Sequence, residues 1–304
     1  MISFKELLPD NCEELVRFLV NNPDDDIDYA MEICNSLCDN IDEDMCRMAI
    51  SYASGCLLVR VFDMGRYSFI YPLPLSETAD INEAIDAVRE YAVHEELPLC
   101  FTDTPREELG VLFSGFRHAR VDTSEDDCDS FTVEIQNELM LLDEAPETVH
   151  GEISLSLLCD DDMQNYGALC RDEKINEFWG YKYSDDTDSP TDEYFYTEAI
   201  GEYKRSVSLP LAVRLGGILI GEAVFHAFDY RGGAEVGFRL AEKWQGKGFG
   251  KKILEASVGI AIRIGLRELR ARVMKENTRS VALMSQFAEP IEQGGTVCYK
   301  FDLR

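Results

Sequence analysis

Six residues, Gln245-Gly246-Lys247-Gly248-Phe249-Gly250, hold the clearest chemical signal in this 304-residue chain. They stand between a strand-like segment ending near Leu240 and a helical one running from Lys251 to Ile264. Glycines let backbone approach a ligand with no side chain in the way, and the first turn of a helix offers unpaired N–H groups at the positive end of its macrodipole. Such a loop binds an anion, and a phosphate suits it. Spacing narrows the ligand. A Walker loop needs Gly-x-x-x-x-Gly-Lys-Ser/Thr, and neither Lys247 nor Lys251 is followed by a hydroxyl residue. Gly246, Gly248 and Gly250 are spaced Gly-x-Gly-x-Gly, as in dinucleotide loops, but the acid at about the right distance, Glu268, precedes the next strand instead of ending it. The remaining pattern, Gln/Arg-x-x-Gly-x-Gly/Ala, is met in full by Gln245, Gly248 and Gly250.

The segments on either side must position that loop. Residues 212–215 and 218–225 are rich in Val, Ile and Leu and are separated by Gly216-Gly217, as expected of strands joined by a tight turn. Arg231-Gly232-Gly233 makes a second turn, and residues 234–240 a third strand leading into the loop. Leu254, Val258 and Ala261 recur at helical spacing up to Gly265, where a left-handed cap is cheap. Leu269, Ala271 and Val273 then alternate with Arg270 and Arg272, the pattern of a half-buried strand. Asn277-Thr278-Arg279-Ser280 opens a last long helix, and residues 296–302 close the chain as a strand.

This ordered set resembles the GCN5-related N-acetyltransferase (GNAT) family, most closely its branch acting on ribosomal-protein N-termini and similar amines. The resemblance covers residues 151–304. It implies an acetyl-CoA-dependent N-acetyltransferase whose acceptor is a small amine or a protein N-terminal amine. By the same resemblance, Phe238, Arg239 and Leu240 supply main-chain contacts to the pantetheine arm of acetyl-CoA. Gln245, Gly246, Lys247, Gly248, Phe249, Gly250 and Lys251 hold the phosphates, and Asn277 hydrogen-bonds the arm. Lys247 and Lys251 also suit ordinary solvated lysines, and Asn277 is a good helix N-cap in its own right.

Attack on a thioester needs a neutral amine, and a carboxylate can take the proton. Glu235 is the candidate base, sharing one strand face with Gly237 and Arg239, and Glu222 stands in reserve. A carboxylate merely paired with an arginine such as Arg239 accounts for Glu235 as well. The Ser280 hydroxyl is the candidate acid for the departing thiolate, or else a helix-surface serine. Many family members carry a tyrosine seven residues after the asparagine, and here Met284 occupies that place. The stretch 176–181 with Tyr183, Asp185 and Asp186 falls where the family walls its acceptor channel; core aromatics under an acidic loop fit it too. A module that senses acetyl-CoA without turnover is the alternative to the enzyme.

Charge divides the chain. Residues 1–150 hold 34 acids and 9 bases, a net of −25 within the overall −29. So acidic a surface repels nucleic acid and anionic membranes and attracts cationic partners. The runs Asp24-Asp25-Asp26 and Glu125-Asp126-Asp127 read as solvated loops. No membrane-length apolar run or signal pattern is present, so a cytoplasmic protein is expected. The cysteines are irregularly spaced, and Cys34, Cys38 and Cys46 have no histidine neighbours; reduced thiols and no metal site are expected.

In the first half, residues 56–62 and 67–73 alternate as a hairpin. A helical stripe follows at Ile81, Ile85, Val88 and Ala92, then short strands at 99–101 and 131–135. This repeats the order of the second half and resembles the acyltransferase-like domain of bacterial lysyl-lipid synthases. Where its phosphate loop would be stands Pro72-Leu73-Pro74-Leu75-Ser76-Glu77-Thr78-Ala79-Asp80, with no glycine and two carboxylates. Prolines remove N–H donors and the acids repel a pyrophosphate, so no acetyl-CoA is expected there. The fold class is therefore α/β, with mixed, mostly antiparallel sheets flanked by helices in tandem GNAT-like domains. The first spans 1–145 and the second 151–304, with 137–150 as linker. Such a pair can stay monomeric, imitating a dimer within one chain, or form a homodimer.

Overall fold

The computed structural model describes residues 1–41, 46–122, 130–179 and 190–303. Tyr181, Tyr183, Asp185 and Asp186 of the expected acceptor wall, and the run Glu125-Asp126-Asp127, lie outside the described residues. Contacts divide the chain into residues 1–136 with 229–231, and residues 137–228 with 232–304.

The first unit contains β1 (Lys5–Leu7), α1 (Cys12–Leu19), α2 (Ile27–Cys38), β2 (Cys46–Ala53), β3 (Cys56–Asp63), β4 (Arg66–Pro74), α3 (Ile81–His94), β5 (Leu99–Pro105), α4 (Leu109–Gly115), β6 (Ala119–Val121) and β7 (Ser130–Ile135). Its sheet runs β1-β2-β3-β4-β5-β7-β6. The stripe on α3 is buried as its spacing requires, at Ala84, Ile85, Val88 and Ala92.

The second unit contains β8 (Thr148–His150), β9 (Ile153–Leu157), α5 (Met163–Arg171), α6 (Glu173–Asn176), α7 (Asp192–Lys204), β10 (Leu209–Leu215), β11 (Ile218–His226), β12 (Gly233–Leu240), α8 (Phe249–Arg263), β13 (Glu268–Met274), α9 (Thr278–Met284), β14 (Pro290–Gln293) and β15 (Thr296–Asp302). Its sheet runs β8-β9-β10-β11-β12-β13-β15-β14. From β2 and β10 onward the two sheets have one strand order, down to the inverted last pair, and among the described residues each has a single parallel junction, β4 with β5 and β12 with β13. The expected fold class is the observed one: two mixed, mostly antiparallel sheets flanked by helices.

Two readings change. Residues 137–150 are not a free linker: Leu139 enters the core of the second unit and β8 pairs with β9. The Asn137 side chain caps the turn after it by accepting from the Leu139 and Met140 amides, and it donates to the Ser206 carbonyl. The last long helix is short: α9 has seven residues, because Pro290 soon begins a hairpin strand. No helix among the described residues is long and apolar enough to cross a membrane.

Alternation gives the second sheet two buried faces. Leu209, Leu211 and Val213 of β10 join Val236, Leu240 and the apolar side of α8, while Ala212 packs with Tyr166, Leu169 and Phe195 of α5 and α7. In β11 the register to β10 slips between Val213 and Arg214, so Ile220 is an extra residue beside Gly221. A Cβ on Gly221 would collide with the Arg239 carbonyl oxygen and stand 3.1 Å from the Leu240 Cα. Gly221→Ala is accordingly expected to destabilise the second unit by about 3 kcal/mol; an unchanged chemical denaturation midpoint would contradict the bulge packing.

Candidate active site

After β12 the chain makes one short turn, in which Trp244 donates its amide to the Ala241 carbonyl and Gln245 to that of Glu242. Gly246 and Gly248 then take left-handed φ values of 73° and 84°, and α8 begins at Phe249. This path leaves the amides of Gly246 through Lys251 without a hydrogen-bond partner among the described residues. Gly246, Lys247 and Gly248 are exposed, and a Cβ on either glycine would meet nothing within 4 Å. Gly250 has a different task. Its Cβ position is 3.0 Å from Leu283 Cδ2 and 3.6 Å from Phe238 Cε2, so it lets α8 pack closely on α9 and β12. Two glycines shape the turn and the third admits a neighbour.

Cations gather around the turn. Lys247 Nζ lies 4.9 Å from the centre of the Trp244 ring, which meets Phe249 edge-on at 6.0 Å. Lys251 is 3.9 Å from Glu255, and Lys252 is bonded to Glu152 at 2.7 Å. Gln245 braces the loop: its Nε2 donates to the Leu240 carbonyl at 3.0 Å and its Oε1 accepts from Arg279 at 3.3 Å. In the sequence Arg279 figures only as part of the segment that opens the last helix, and nothing in the motif spacing points to Trp244.

Beside the loop the sheet opens. β12 pairs with β13 only at Gly233, Ala234 and Glu235, and the strands part beyond that rung. Because the Gly232 carbonyl accepts from β13 and the Ala241 amide donates to β11, strand alternation turns the main-chain groups of Val236, Phe238 and Leu240 towards the opening. Arg239 is placed otherwise. Its main chain faces β11, opposite Glu222, and its side chain is buried. Across the opening, past the end of β13, Asn277 caps α9 by accepting from the Ser280 amide at 3.2 Å. The Asn277 amide group and the half-buried Ser280 hydroxyl have no recorded donor role within the described residues.

The sheet face bearing Glu235, Gly237 and Arg239 holds a polar network. Arg239 Nε donates to Glu222 Oε2 at 2.9 Å, and Tyr166 Oη donates to Glu222 Oε1 at 2.8 Å, with the Arg239 and Glu222 side chains 7% and 3% exposed. Arg239 also bonds Asn176 Oδ1 and Cys170 Sγ, and its guanidinium stacks 4.4 Å from the Trp179 ring centre. Burial alone would lower the Arg239 pKa, but the Glu222 charge and the Cys170 and Tyr166 groups raise it on balance. Burial and then the Glu222 charge push the Tyr166 phenol well above its ordinary range, so it stays a donor. With both oxygens engaged, Glu222 is a structural anion, which answers its place as reserve base. Asn176 Nδ2 ties this corner to the Leu169, Cys170 and Asp172 carbonyls, and Trp179 lies 3.4 Å from the Cβ position of Gly237.

Glu235 is bonded to Arg272 of β13 at 2.9 Å, and its cross-strand neighbour on β11 is His226. The arginine beside Glu235 is therefore Arg272, and Arg239 belongs to Glu222. Parallel pairing of β12 with β13 explains the exchange, since it brings Arg270 and Arg272 to the edge that Glu235 faces.

The family model described as Acetyltransferase (GNAT) domain matches residues 152–287. No curated protein matches the chain in sequence. Among solved structures, a probable acetyltransferase is 16% identical over 52% of this chain and 96% of its own, with a TM-score of 0.45. Spermidine N-acetyltransferase from Vibrio cholerae in complex with CoA and spermine is 16% identical over 49% and 93%, TM-score 0.42. Mycobacterium smegmatis RimJ in complex with CoA-disulfide is 14% identical over 52% and 86%, TM-score 0.43.

Proposed function

We propose that the second unit, whose residues 152–287 match the model of the GNAT acetyltransferase domain, transfers the acetyl group of acetyl-CoA to a primary amine, on a small molecule or a protein N-terminus, by direct attack on the thioester. The observation that carries this is the row of unpartnered amides from Gly246 to Lys251 at the start of α8. A diphosphate is the ligand they suit, with Lys247 and Lys251 adding charge and Arg279 within reach through Gln245.

The open edge of β12 supports the placement of the arm. Val236, Phe238 and Leu240 present main-chain donors and acceptors, which a pantetheine chain can pair with as an added strand would. Five residues of strand span about 16 Å, so an arm laid from the loop back along Val236–Leu240 brings its thioester beside Glu235. In this reading Asn277 uses its free amide N–H on the arm while its oxygen keeps the cap, and Ser280 is the nearest hydroxyl to a departing thiolate. Gln245 acts by bracing the loop. Trp179 and the Arg239–Glu222 pair form the floor on which the acceptor rests.

The acetyl thioester supplies an activated carbonyl; the protein must supply a neutral amine. An α-amine titrates near ~8 and a lysine near ~10.4, so both arrive mostly protonated and give up a proton on the Glu235 side of the cleft. The acidic surface of the chain favours cationic acceptors of this kind over nucleic acid.

For the first unit we propose a scaffold role without acetyl-CoA. Three of its loop amides are spent: Leu75 donates to the Gly55 carbonyl at 2.9 Å, Ala79 to Ser76 at 3.3 Å and Asp80 to Ser54 at 2.8 Å. The Asp80 carboxylate occupies the start of α3 by accepting from the Glu83 amide at 3.0 Å.

The test is release of free thiol from acetyl-CoA with spermidine, free lysine and tetrapeptides beginning with Ala, Ser or Met. Amine-dependent release is expected for at least one. Calorimetric binding of acetyl-CoA with no release for any of them would turn the reading to an acetyl-CoA sensor.

A further inference from the structure

His226 ends β11 directly opposite Glu235, on the last rung before β12 and β13 part. Alternation puts its imidazole on the face shared by Glu235, Gly237 and Arg239. The ring is half-buried and makes no hydrogen bond to a described residue, whereas Glu235 is already held by Arg272 at 2.9 Å. At this point of the cleft, then, the carboxylate is engaged and the imidazole is free.

Resting on the transfer reading above, we propose that His226 is the catalytic residue that takes the ammonium proton of the acceptor, and that Glu235, fixed by Arg272 across the strand pair, is the positioning residue that acts on the ring through its charge. The charged groups facing the imidazole are Glu235, Arg270 and Arg272. Burial lowers its pKa first; Glu235 opposes this, and Arg272 and Arg270 lower it further, leaving the net shift downward. The ring is thus neutral at pH 7 and keeps a lone pair for a proton. An ammonium gives one proton to the imidazole nitrogen, and the freed lone pair forms the C–N bond at the thioester carbonyl. The C–S bond breaks, the second nitrogen proton passes to the thiolate to give the CoA thiol, and the imidazolium returns its proton to solvent.

The experiment compares wild type, His226→Gln and Glu235→Gln, using acetyl-CoA and whichever panel amine wild type turns over fastest, between pH 5.5 and 9.5. In parallel, the imidazole is titrated by NMR. In wild type, kcat should rise with pH along a limb whose midpoint lies below the ordinary histidine value near ~6.5 and coincides with the NMR midpoint of His226. His226→Gln should keep its affinity for acetyl-CoA, lose about 100-fold in kcat at pH 7, and recover as pH approaches the pKa of the amine. In Glu235→Gln the limb should move to lower pH, because the charge that raised the histidine pKa is gone. A wild-type limb and kcat in His226→Gln would overturn the assignment, as would loss of acetyl-CoA affinity in that variant. Wild type that binds acetyl-CoA and releases no thiol with any amine would instead overturn the transfer reading, and this inference with it.

Discussion

Replacing Gly248 by valine is expected to weaken acetyl-CoA binding by at least about 100-fold while the protein stays folded. At φ 84° the residue sits in the left-handed region, which an L side chain enters at a cost of about 1–2 kcal/mol. A Cβ there touches nothing, so the fold has no reason to break. The side chain would instead enter the open space beside the loop, where a diphosphate has to approach. Losing two charge-assisted hydrogen bonds of about 1.5–3 kcal/mol each accounts for the expected drop. Calorimetry gives the affinity, and circular dichroism the fold. Trp244, packed between Lys247 and Phe249, offers a fluorescence reading of the same event. Gly250→Val is the contrasting variant: its side chain would press on Leu283 and Phe238, so stability should fall along with affinity. Unchanged acetyl-CoA affinity in Gly248→Val would remove the loop from the site.

The second large effect concerns the floor of the cleft. Arg239→Ala leaves Glu222 as a buried charge without its partner and should destabilise the second unit by about 3–5 kcal/mol. Asn176 Oδ1 and Cys170 Sγ lose their donor in the same step, and Trp179 loses the plane it stacks on. Glu222→Leu combined with Arg239→Met removes both charges and should recover a good part of the loss, which a double-mutant cycle measures. If Arg239→Ala lowered stability by less than about 1 kcal/mol, the network would have no structural weight. Near room temperature, where the variant remains folded, acetyl-CoA affinity should hold while the KM of the amine rises, because the proposed arrangement puts the phosphates at the loop and the acceptor at the floor.

Much of this site can be read along the chain because its parts obey short-range rules. Gly246 and Gly248 take the left-handed turn that few other residues tolerate, and Asn277 caps the helix after it. The odd and even residues of β12 fall on the two faces that alternation requires, so Glu235, Gly237 and Arg239 do share one. The stretch 72–80 of the first unit is equally local: prolines and carboxylates stand there with no glycine, and Asp80 caps α3. The common strand order of the two units follows from repeated segments in repeated sequence.

The partners of the charged groups were a different matter. Glu222 and Arg239 stand 17 residues apart and Asn176 and Arg239 63 apart, and only the register of β11 on β12, with α6 laid across them, makes them one network. Glu235 was assigned a plausible arginine on its own strand, yet the parallel junction with β13 brought Arg272 to it and set His226 at its other side. The boundary segment 137–150 lacks periodicity, so its role depended on Leu139 finding a core and β8 finding an edge. Torsional preference and side-chain alternation act within a few residues and are written in the order of the amino acids. Which carboxylate meets which cation, and where two strands part to admit a ligand, is settled when distant segments choose a register, because burying a charge demands a partner that no neighbour in the chain can supply.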